Sequence, residues 1–408
     1  MSGWRWHSGN RVRLLENGEE YFPRVFEAIG QAQREVIIET FILFEDGVGR
    51  RLEEAVIAAA RRGVRVDITV DGYGSADLSP RFAAALAQAG VRLHVFEPIV
   101  RLLGWRTGLF RRLHRKIVVI DGALAFVGGI NFAHDHLAEA GEESKQDYAV
   151  EVEGPVVADI YRLVAPGRAP RPLPWWRRWL LAHSRAPIEA PVVGAVEAML
   201  AQRDNHHHRT DIERAYRLGV RLARRSVIIA NAYFFPGYRL LRDLRNAARR
   251  GVRVQLIMQG KPDMPWVRWL STSFYGYLAR GGVEIYEYCQ RPIHAKVAVI
   301  DDEWATVGSS NLDPLSLSLN LEANLVLRNR EFSLQLRQRL ERLMSESCTR
   351  LEQAQFRRRG PFWQLVTVLA FHAARRFPAV AGWLPAHRPV RTMLTGEGLA
   401  VPTQRKAA

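Results

Sequence analysis

Two sets of polar residues share one spacing in distant parts of the chain, and their side chains suit the chemistry of a phosphate ester. In each set a lysine follows a histidine by two residues, an aspartate follows the lysine by five, and an asparagine follows the histidine by seventeen. Imidazole can attack phosphorus or transfer a proton, whereas ammonium and amide groups can hold phosphate oxygens. The sets are His114, Lys116, Asp121 and Asn131, and His294, Lys296, Asp301 and Asn311.

Each set is predicted to lie on a β-hairpin. An apolar run follows each lysine and reaches a turn signal, Asp121-Gly122 in the first copy and Asp301-Asp302 in the second. A histidine and a lysine two residues apart share one face of a strand. With two-residue loops, a small residue lies opposite each histidine and leaves space for a ligand, namely Gly129 opposite His114 and Ser309 opposite His294.

The two aspartates of the sets have two interpretations. As members of the repeated pattern, Asp121 and Asp301 are candidate catalytic residues together with the histidines and lysines. Aspartate is also favoured in turns because its side chain bonds to nearby backbone. The turn positions favour this structural role over the catalytic one.

A histidine that acts as a nucleophile or an acid needs a partner that fixes its tautomer. Residues 316–325 alternate between polar and apolar side chains, which predicts a strand with Glu322 on its polar face. Asp147 opens a predicted strand in the first half and is the counterpart of Glu322. We therefore predict that Asp147 and Glu322 orient the two imidazole rings. The run His206–His208 has no ordered ligand spacing, so no metal site is predicted there.

The repetition extends well beyond these sets, since residues 60–66 recur letter for letter as residues 248–254. Each half alternates predicted helices and strands before its hairpin, which predicts an α/β fold of two homologous α-β-α sandwich domains. Motif copies this similar are expected to meet across a pseudo-twofold axis and share one active site. The predicted divisions are a first domain at 1–154, a basic Trp-rich segment at 155–195, a second domain at 196–346 and a basic aromatic region at 347–408.

The charge of the chain predicts a polyanionic partner. The 408 residues carry a formal net charge of +16, which suits either nucleic acid or an anionic membrane surface. Neither the apolar core of a signal peptide nor a membrane-spanning stretch is evident. Three segments combine arginine with aromatic residues, namely Ile99–Lys116, Pro174–Leu181 and Arg357–Leu384. Membrane contact is the preferred interpretation of the last of these, with a helix packed on the second domain as the alternative, and single-stranded nucleic acid is a rival partner for the first.

The doubled motif resembles the signature of the phospholipase D superfamily. Residues 15–19, 39–41, 71–75, 231–238 and 308–324 further resemble the bacterial cardiolipin synthases, above all the subtype without N-terminal membrane spans. The resemblance implies an enzyme that joins two phosphatidylglycerols into cardiolipin and releases glycerol, without a metal or another cofactor. It also implies a peripheral protein on the cytoplasmic face of the inner membrane, bound to anionic phospholipid and not to nucleic acid.

The resemblance also suggests roles for the site residues. It implies that His114 is the nucleophile and His294 the acid and base, a choice that the near symmetry of the two motifs leaves open. Lys116, Lys296, Asn131 and Asn311 would hold the phosphate oxygens. Nucleases of the same superfamily, and transfer to water or another alcohol, remain the alternative functions.

Overall fold

The described part of the chain forms two mixed sheets that share one strand. The computed structural model describes residues 4–98, 101–102, 105–106, 111–165, 191–260, 274–352, 391–395 and 398–399. Two of the basic aromatic segments, Pro174–Leu181 and Arg357–Leu384, therefore lie outside the described residues. In the third, the described part of Ile99–Lys116 is a two-stranded ribbon, Arg101–Leu102 with Trp105–Arg106, and residues 111–116.

The strands are two to ten residues long. Those of the first half are β1 (His7–Glu16), β2 (Glu35–Thr40), β3 (Arg65–Asp71), β4 (Arg92–Phe96), β5 (Arg101–Leu102), β6 (Trp105–Arg106), β7 (Ile117–Ile120), β8 (Leu124–Gly128) and β9 (Tyr148–Glu153). Those that follow are β10 (Val196–Arg203), β11 (Ser226–Asn231), β12 (Arg253–Gln259), β13 (Glu284–Tyr288), β14 (Lys296–Ile300), β15 (Trp304–Gly308), β16 (Glu322–Arg328), β17 (Cys348–Leu351), β18 (Arg391–Thr395) and β19 (Gly398–Leu399).

The helices cover both sides of the sheets. They are α1 (Asn17–Gln31), α2 (Gly47–Arg61), α3 (Pro80–Gln88), α4 (Val157–Val164), α5 (Asp211–Leu222), α6 (Tyr238–Arg249), α7 (Pro314–Ser318) and α8 (Arg330–Ser347). Two 3-10 turns, His134–His136 and Ala138–Glu143, follow the first hairpin, and residues 274–279 are helical.

The two halves repeat one strand order. The first sheet runs β1-β9-β8-β7-β2-β3-β4-β18, and the second runs β1-β10-β16-β15-β14-β11-β12-β13-β17. In each half three consecutive strands are parallel, β2-β3-β4 and β11-β12-β13, and the motif hairpin pairs antiparallel with the first of them. The predicted α/β class and its repeat are confirmed.

The identical heptapeptides 60–66 and 248–254 end equivalent helices in the same way. Gly63 and Gly251 have φ of 90° and 91°, the left-handed conformation that closes a helix. The next residue, Val64 or Val252, donates its N–H back to a carbonyl of the last turn, at 3.1 Å in both copies. The repeated sequence thus marks the point where each half of the chain passes from a helix into its second parallel strand.

A shared core joins the halves. Helices α4 and α8 pack between the sheets, where Ile160 and Leu336 have no exposed area, together with Val119 and Val299 of the two hairpins. Burying each such aliphatic side chain stabilises the fold by roughly 1.5–3 kcal/mol. Two outer cores lie under α1–α3 and under α5 and α6. The hairpins that carry the motifs are therefore held from both sides. Within the described residues, none of the helices has the length and apolarity to cross a bilayer.

The predicted hairpin register is wrong by one residue. Ile120 pairs with Leu124 and Ile300 with Trp304, so each loop has three residues instead of two. The first two loop residues have positive φ, and the third donates its N–H across the turn, to Ile120 or Ile300. As a result Lys116 lies opposite Gly128, bonded to it by backbone, and Gly129 and Ser309 are not opposite the histidines.

The predicted strand over residues 316–325 is wrong in its first part. Pro314–Ser318 forms helix α7, and β16 begins only at Glu322. The Asp313 carboxylate accepts the N–H of Ser316 at 3.1 Å, and proline is favoured at a first helical position. Local capping thus outweighs the alternating pattern up to this point.

Candidate active site

Each motif histidine is anchored to the opposite half of the molecule. The His114 N–H donates to Leu321 O at 3.0 Å, and the His294 N–H donates to Gln146 O at 2.8 Å. These acceptors directly precede Glu322 and Asp147 in the chain. The backbone contacts therefore bring the carboxylate of each half to the histidine of the other half.

The resulting histidine–carboxylate pairs are crossed, because each histidine pairs with the carboxylate of the other half, and both pairs are buried. His114 Nδ1 lies 3.1 Å from Glu322 Oε2, and His294 Nδ1 lies 2.6 Å from Asp147 Oδ2. Both carboxylates have no exposed area. Since each carboxylate binds Nδ1, a neutral ring carries its proton there and leaves Nε2 unprotonated.

Two residues next to the carboxylates differ between the copies. The Ser309 hydroxyl donates to Glu322 Oε2 at 2.6 Å. Gly129 is its counterpart, and a Cβ at Gly129 would lie 2.5 Å from both oxygens of Asp147. The glycine is therefore required by close approach of Asp147, whereas the serine gives Glu322 an additional hydrogen bond.

The motif lysines are buried beside the histidines. Lys116 Nζ donates to His114 O at 2.8 Å, and Lys296 Nζ donates to His294 O. Burial lowers the pKa of Lys116 to about 7 and that of Lys296 to about 8. The negative charges of Glu322 and Asp147 raise both pKa values but do not offset the effect of burial. A bound phosphate would favour the protonated forms, so these groups are poised to receive an anion.

Both motif asparagines are buried. The side-chain oxygen of Asn131 accepts the N–H of Ile42 at 3.2 Å, which leaves its NH₂ as the group able to donate to a phosphate oxygen. Asn311 is also buried, and its side-chain oxygen has no partner among the residues that the structure describes.

The two half-sites differ in their protonation. Burial acts to raise the pKa of Glu322, but interactions with His114, Lys116 and Ser309 outweigh the effect of burial and lower that pKa. Burial instead raises the pKa of Asp147 to about 7. Burial lowers the pKa of His114 and, with the charge of Lys296, lowers that of His294 further. Glu322 is thus ionised behind a neutral His114, whereas the Asp147–His294 pair takes up a proton near neutral pH.

Asp121 and Asp301 do not belong to this site. Asp121 accepts the backbone N–H groups of residues 33–35 at 2.7–2.9 Å, and Asp301 accepts those of residues 224–226 at 2.6–2.9 Å. Each lies at the far end of a hairpin strand, roughly 15 Å or more from its motif lysine by strand length. Their inclusion among the candidate catalytic residues is corrected: they fix the hairpin turn to the start of β2 or β11.

Replacing Asp121 with alanine is expected to destabilise the fold without damaging the chemistry. Three backbone donors lose their acceptor, which costs about 1–3 kcal/mol. Thermal unfolding should therefore shift to lower temperature, while kcat of the folded protein stays within a few-fold of the original. A loss of kcat by a factor of hundreds with unchanged stability would contradict the structural role.

Sequence reasoning missed a third histidine. His136 is fully buried, and its ring centroid lies 5.6 Å from that of His294, edge to face. It lies five residues after Asn131, whereas the second copy has Ser316 at that offset, so the repeat gave no signal.

Two groups of side chains in the described residues include histidines that could ligate a metal. Among the described residues, His136, Asp147 and His294 have ligand atoms within 4.8 Å of one another. Asp147 and His294 already bond to each other, and two lysines add positive charge, so the group fits a cation poorly. In the run His206–His208, Asp204 accepts all three backbone N–H groups and His208 pairs with Asp211, which is the arrangement of a structural loop.

The repeated fold and the paired histidines and lysines are typical of one protein superfamily. Two similar α/β halves, each contributing a histidine and a lysine to one buried site, are the arrangement of the phospholipase D superfamily. A family model described as "Cardiolipin synthase, PLD-like domain" matches residues 25–163 and 220–344. The chain therefore belongs to this cardiolipin synthase family and is a phospholipid phosphatidyltransferase.

Individual relatives agree with the family. The chain is 54% identical over 388 residues to cardiolipin synthase B of Salmonella typhi, covering 94% of this chain and 92% of the relative. It is 53% identical over 389 residues to cardiolipin synthase B of Escherichia coli K12, with the same coverage. Among solved structures, phosphatidylserine synthase of Haemophilus influenzae Rd KW20 matches with a TM-score of 0.66 at 12% identity, covering 91% of this chain and 94% of that one. This last likeness concerns the fold.

Proposed function

We propose that this enzyme joins two phosphatidylglycerols through a phosphatidyl-histidine intermediate, with His114 as nucleophile. The observation that carries the proposal is the pair of crossed histidine–carboxylate contacts around two buried lysines. The 53–54% identity to cardiolipin synthases B supports the substrates.

In the first step, Nε2 of His114 attacks phosphorus of one phosphatidylglycerol. A phosphorus–nitrogen bond forms and the bond from phosphorus to the glycerol oxygen breaks, while the Asp147–His294 pair gives a proton to that oxygen. Lys116 and Lys296 stabilise the charge that builds on the phosphoryl oxygens, with Asn131 and Asn311 as further ligands. Free glycerol leaves.

In the second step, a hydroxyl of a second phosphatidylglycerol attacks the same phosphorus. His294, now neutral, accepts the hydroxyl proton, the phosphorus–nitrogen bond breaks, and cardiolipin is released. The assignment of His114 as nucleophile is supported by its partner Glu322, which is ionised and holds the proton of the His114 ring on Nδ1. The uptake of a proton by the other pair near neutral pH supports the acid role of His294.

We place the enzyme at the surface of an anionic membrane, on the cytoplasmic face. The net charge of +16 supports this location, as do phospholipid substrates that reside in a bilayer.

The function is tested by incubating the protein with phosphatidylglycerol vesicles and, separately, with plasmid DNA. We expect cardiolipin and free glycerol in equal amounts and intact plasmid. Phosphatidic acid as the main lipid product would indicate transfer to water, and cleaved plasmid with unchanged lipid would indicate a nuclease and overturn the proposal.

Chelation is expected to leave the activity unchanged. Lys116 and Lys296 supply the positive charge that a metal ion provides in other phosphoryl-transfer enzymes. Cardiolipin formation should therefore proceed at the same rate after dialysis against EDTA. Loss of turnover that one added divalent ion restores would contradict this expectation.

A further inference from the structure

His136 has a hydrogen-bonding arrangement that fixes its tautomer. The backbone N–H of Asn131 donates to its Nε2 at 3.2 Å, so this nitrogen carries a lone pair. Burial lowers the pKa of His136 well below its usual range, so the ring is neutral. Its one proton therefore lies on Nδ1.

The Nδ1–H group of His136 has no partner among the residues that the structure describes, although it is fully buried. Burying an N–H donor without an acceptor is costly, and such groups are rare in folded proteins. The ring lies beside the Asp147–His294 pair. One carboxylate oxygen of Asp147 and one ring nitrogen of His294 are within 4.8 Å of a His136 nitrogen. One bridging water can span such a distance.

We propose that His136 is a positioning residue for the acid–base half of the site. Its Nδ1–H donates toward the Asp147 carboxylate across this short gap, and its Nε2 holds the backbone of Asn131, a phosphate ligand. One ring thereby couples the acid–base pair to the phosphate-binding loop. This inference depends on the proposed acid role of His294.

The chemical consequence is a bias in where the shared proton resides. A donor to Asp147 stabilises its ionised form, which leaves the proton on His294, where the departing glycerol needs it. Without the donor, the proton moves toward Asp147 and the pair holds it more tightly. The other charged or titratable groups around His136 are Asp135, Lys145, Lys116 and Lys296.

Two substitutions separate the two contacts of the ring. In His136→Gln, the side-chain oxygen can take the place of Nε2 and accept from Asn131, but the donor at Nδ1 is lost. In His136→Asn, the side-chain NH₂ can take the place of Nδ1, but the acceptor is lost. His134→Gln, in the same 3-10 turn, is the matched control.

The measurement is glycerol release from phosphatidylglycerol vesicles as a function of pH. We expect His136→Gln to lower kcat about tenfold, the equivalent of one hydrogen bond, and to move the alkaline limb of kcat/KM to higher pH. We expect His136→Asn to keep the pH profile and raise KM several-fold, and His134→Gln to behave as the unmodified protein.

The activities and pH profiles of these variants distinguish a positioning role of His136 from a purely structural one. If the Gln and Asn variants lose the same share of activity and their pH profiles coincide with that of the unmodified protein, His136 only supports the fold and the inference is overturned. Unchanged kcat, KM and pH profile in His136→Gln would also overturn it. If the unmodified protein releases no glycerol from phosphatidylglycerol, the proposed function itself fails, which is a separate result.

Discussion

Replacing His114 with alanine is expected to lower kcat for cardiolipin formation by about 10⁴-fold or more, because no covalent intermediate can form. Replacing His294 with alanine is expected to have a different effect. Nε2 of His114 can still attack, but glycerol must leave without a proton. The loss should be large for phosphatidylglycerol and much smaller for a phosphodiester with a nitrophenolate leaving group.

The two variants are compared by the burst of nitrophenolate release. We expect His294→Ala to give one equivalent of nitrophenolate rapidly and then to turn over slowly, because the second step lacks its base. His114→Ala should give no burst. A burst in His114→Ala and none in His294→Ala would reverse the roles of the two histidines.

Removing either carboxylate is expected to disable the histidine on the opposite half. Glu322→Gln should lower kcat about 10³–10⁴-fold, since an amide can hold the wrong tautomer of His114. A nitrophenolate leaving group should not rescue it, because the nucleophile is affected. Asp147→Asn affects His294, so the same leaving group should restore much of its activity.

The pH dependence gives a second readout of the same prediction. The proton on the Asp147–His294 pair is lost as pH rises through the pKa of Asp147, about 7, so kcat/KM for glycerol release should fall above that pH. Asp147→Asn should remove or shift this alkaline limb.

The matched control is Asp159→Asn, which breaks another histidine–aspartate pair, with His7 at 2.7 Å, outside the site. It should leave the rate and the pH profile unchanged. If Asp147→Asn and Asp159→Asn lose activity alike, the effect is a general one on stability.

Repetition made the fold and most of the site predictable. A motif with one spacing in two places identified the histidines, the lysines and the asparagines, and the repeated heptapeptide 60–66 marked equivalent helix ends. Alternation of side chains also identified Glu322. All these signals are local in the chain, and the motif and the heptapeptide occur twice.

The remaining features depend on contacts between distant segments or on local geometry that the pattern does not encode. The crossing of the pairs follows from backbone contacts of residues 112–114 with residue 321, about 200 positions away. The hairpin loop that begins at Asp121, where φ is positive, has three residues instead of the predicted two. The cap at Asp313 starts a helix where part of a strand was predicted. His136 has no counterpart in the second copy, so the repeat could not identify it.

The proposed mechanism requires a covalent bond between phosphorus and His114, formed while Glu322 of the other half holds that ring. The most direct measurement is to mix His294→Ala with a short-chain phosphatidyl nitrophenyl ester, quench, digest without acid and locate the added mass by tandem mass spectrometry. We expect one phosphatidyl group on the peptide that contains His114, and none when Glu322→Gln is added to the variant. A modified peptide that lacks His114, or nitrophenolate release with no modified peptide at all, would contradict this account.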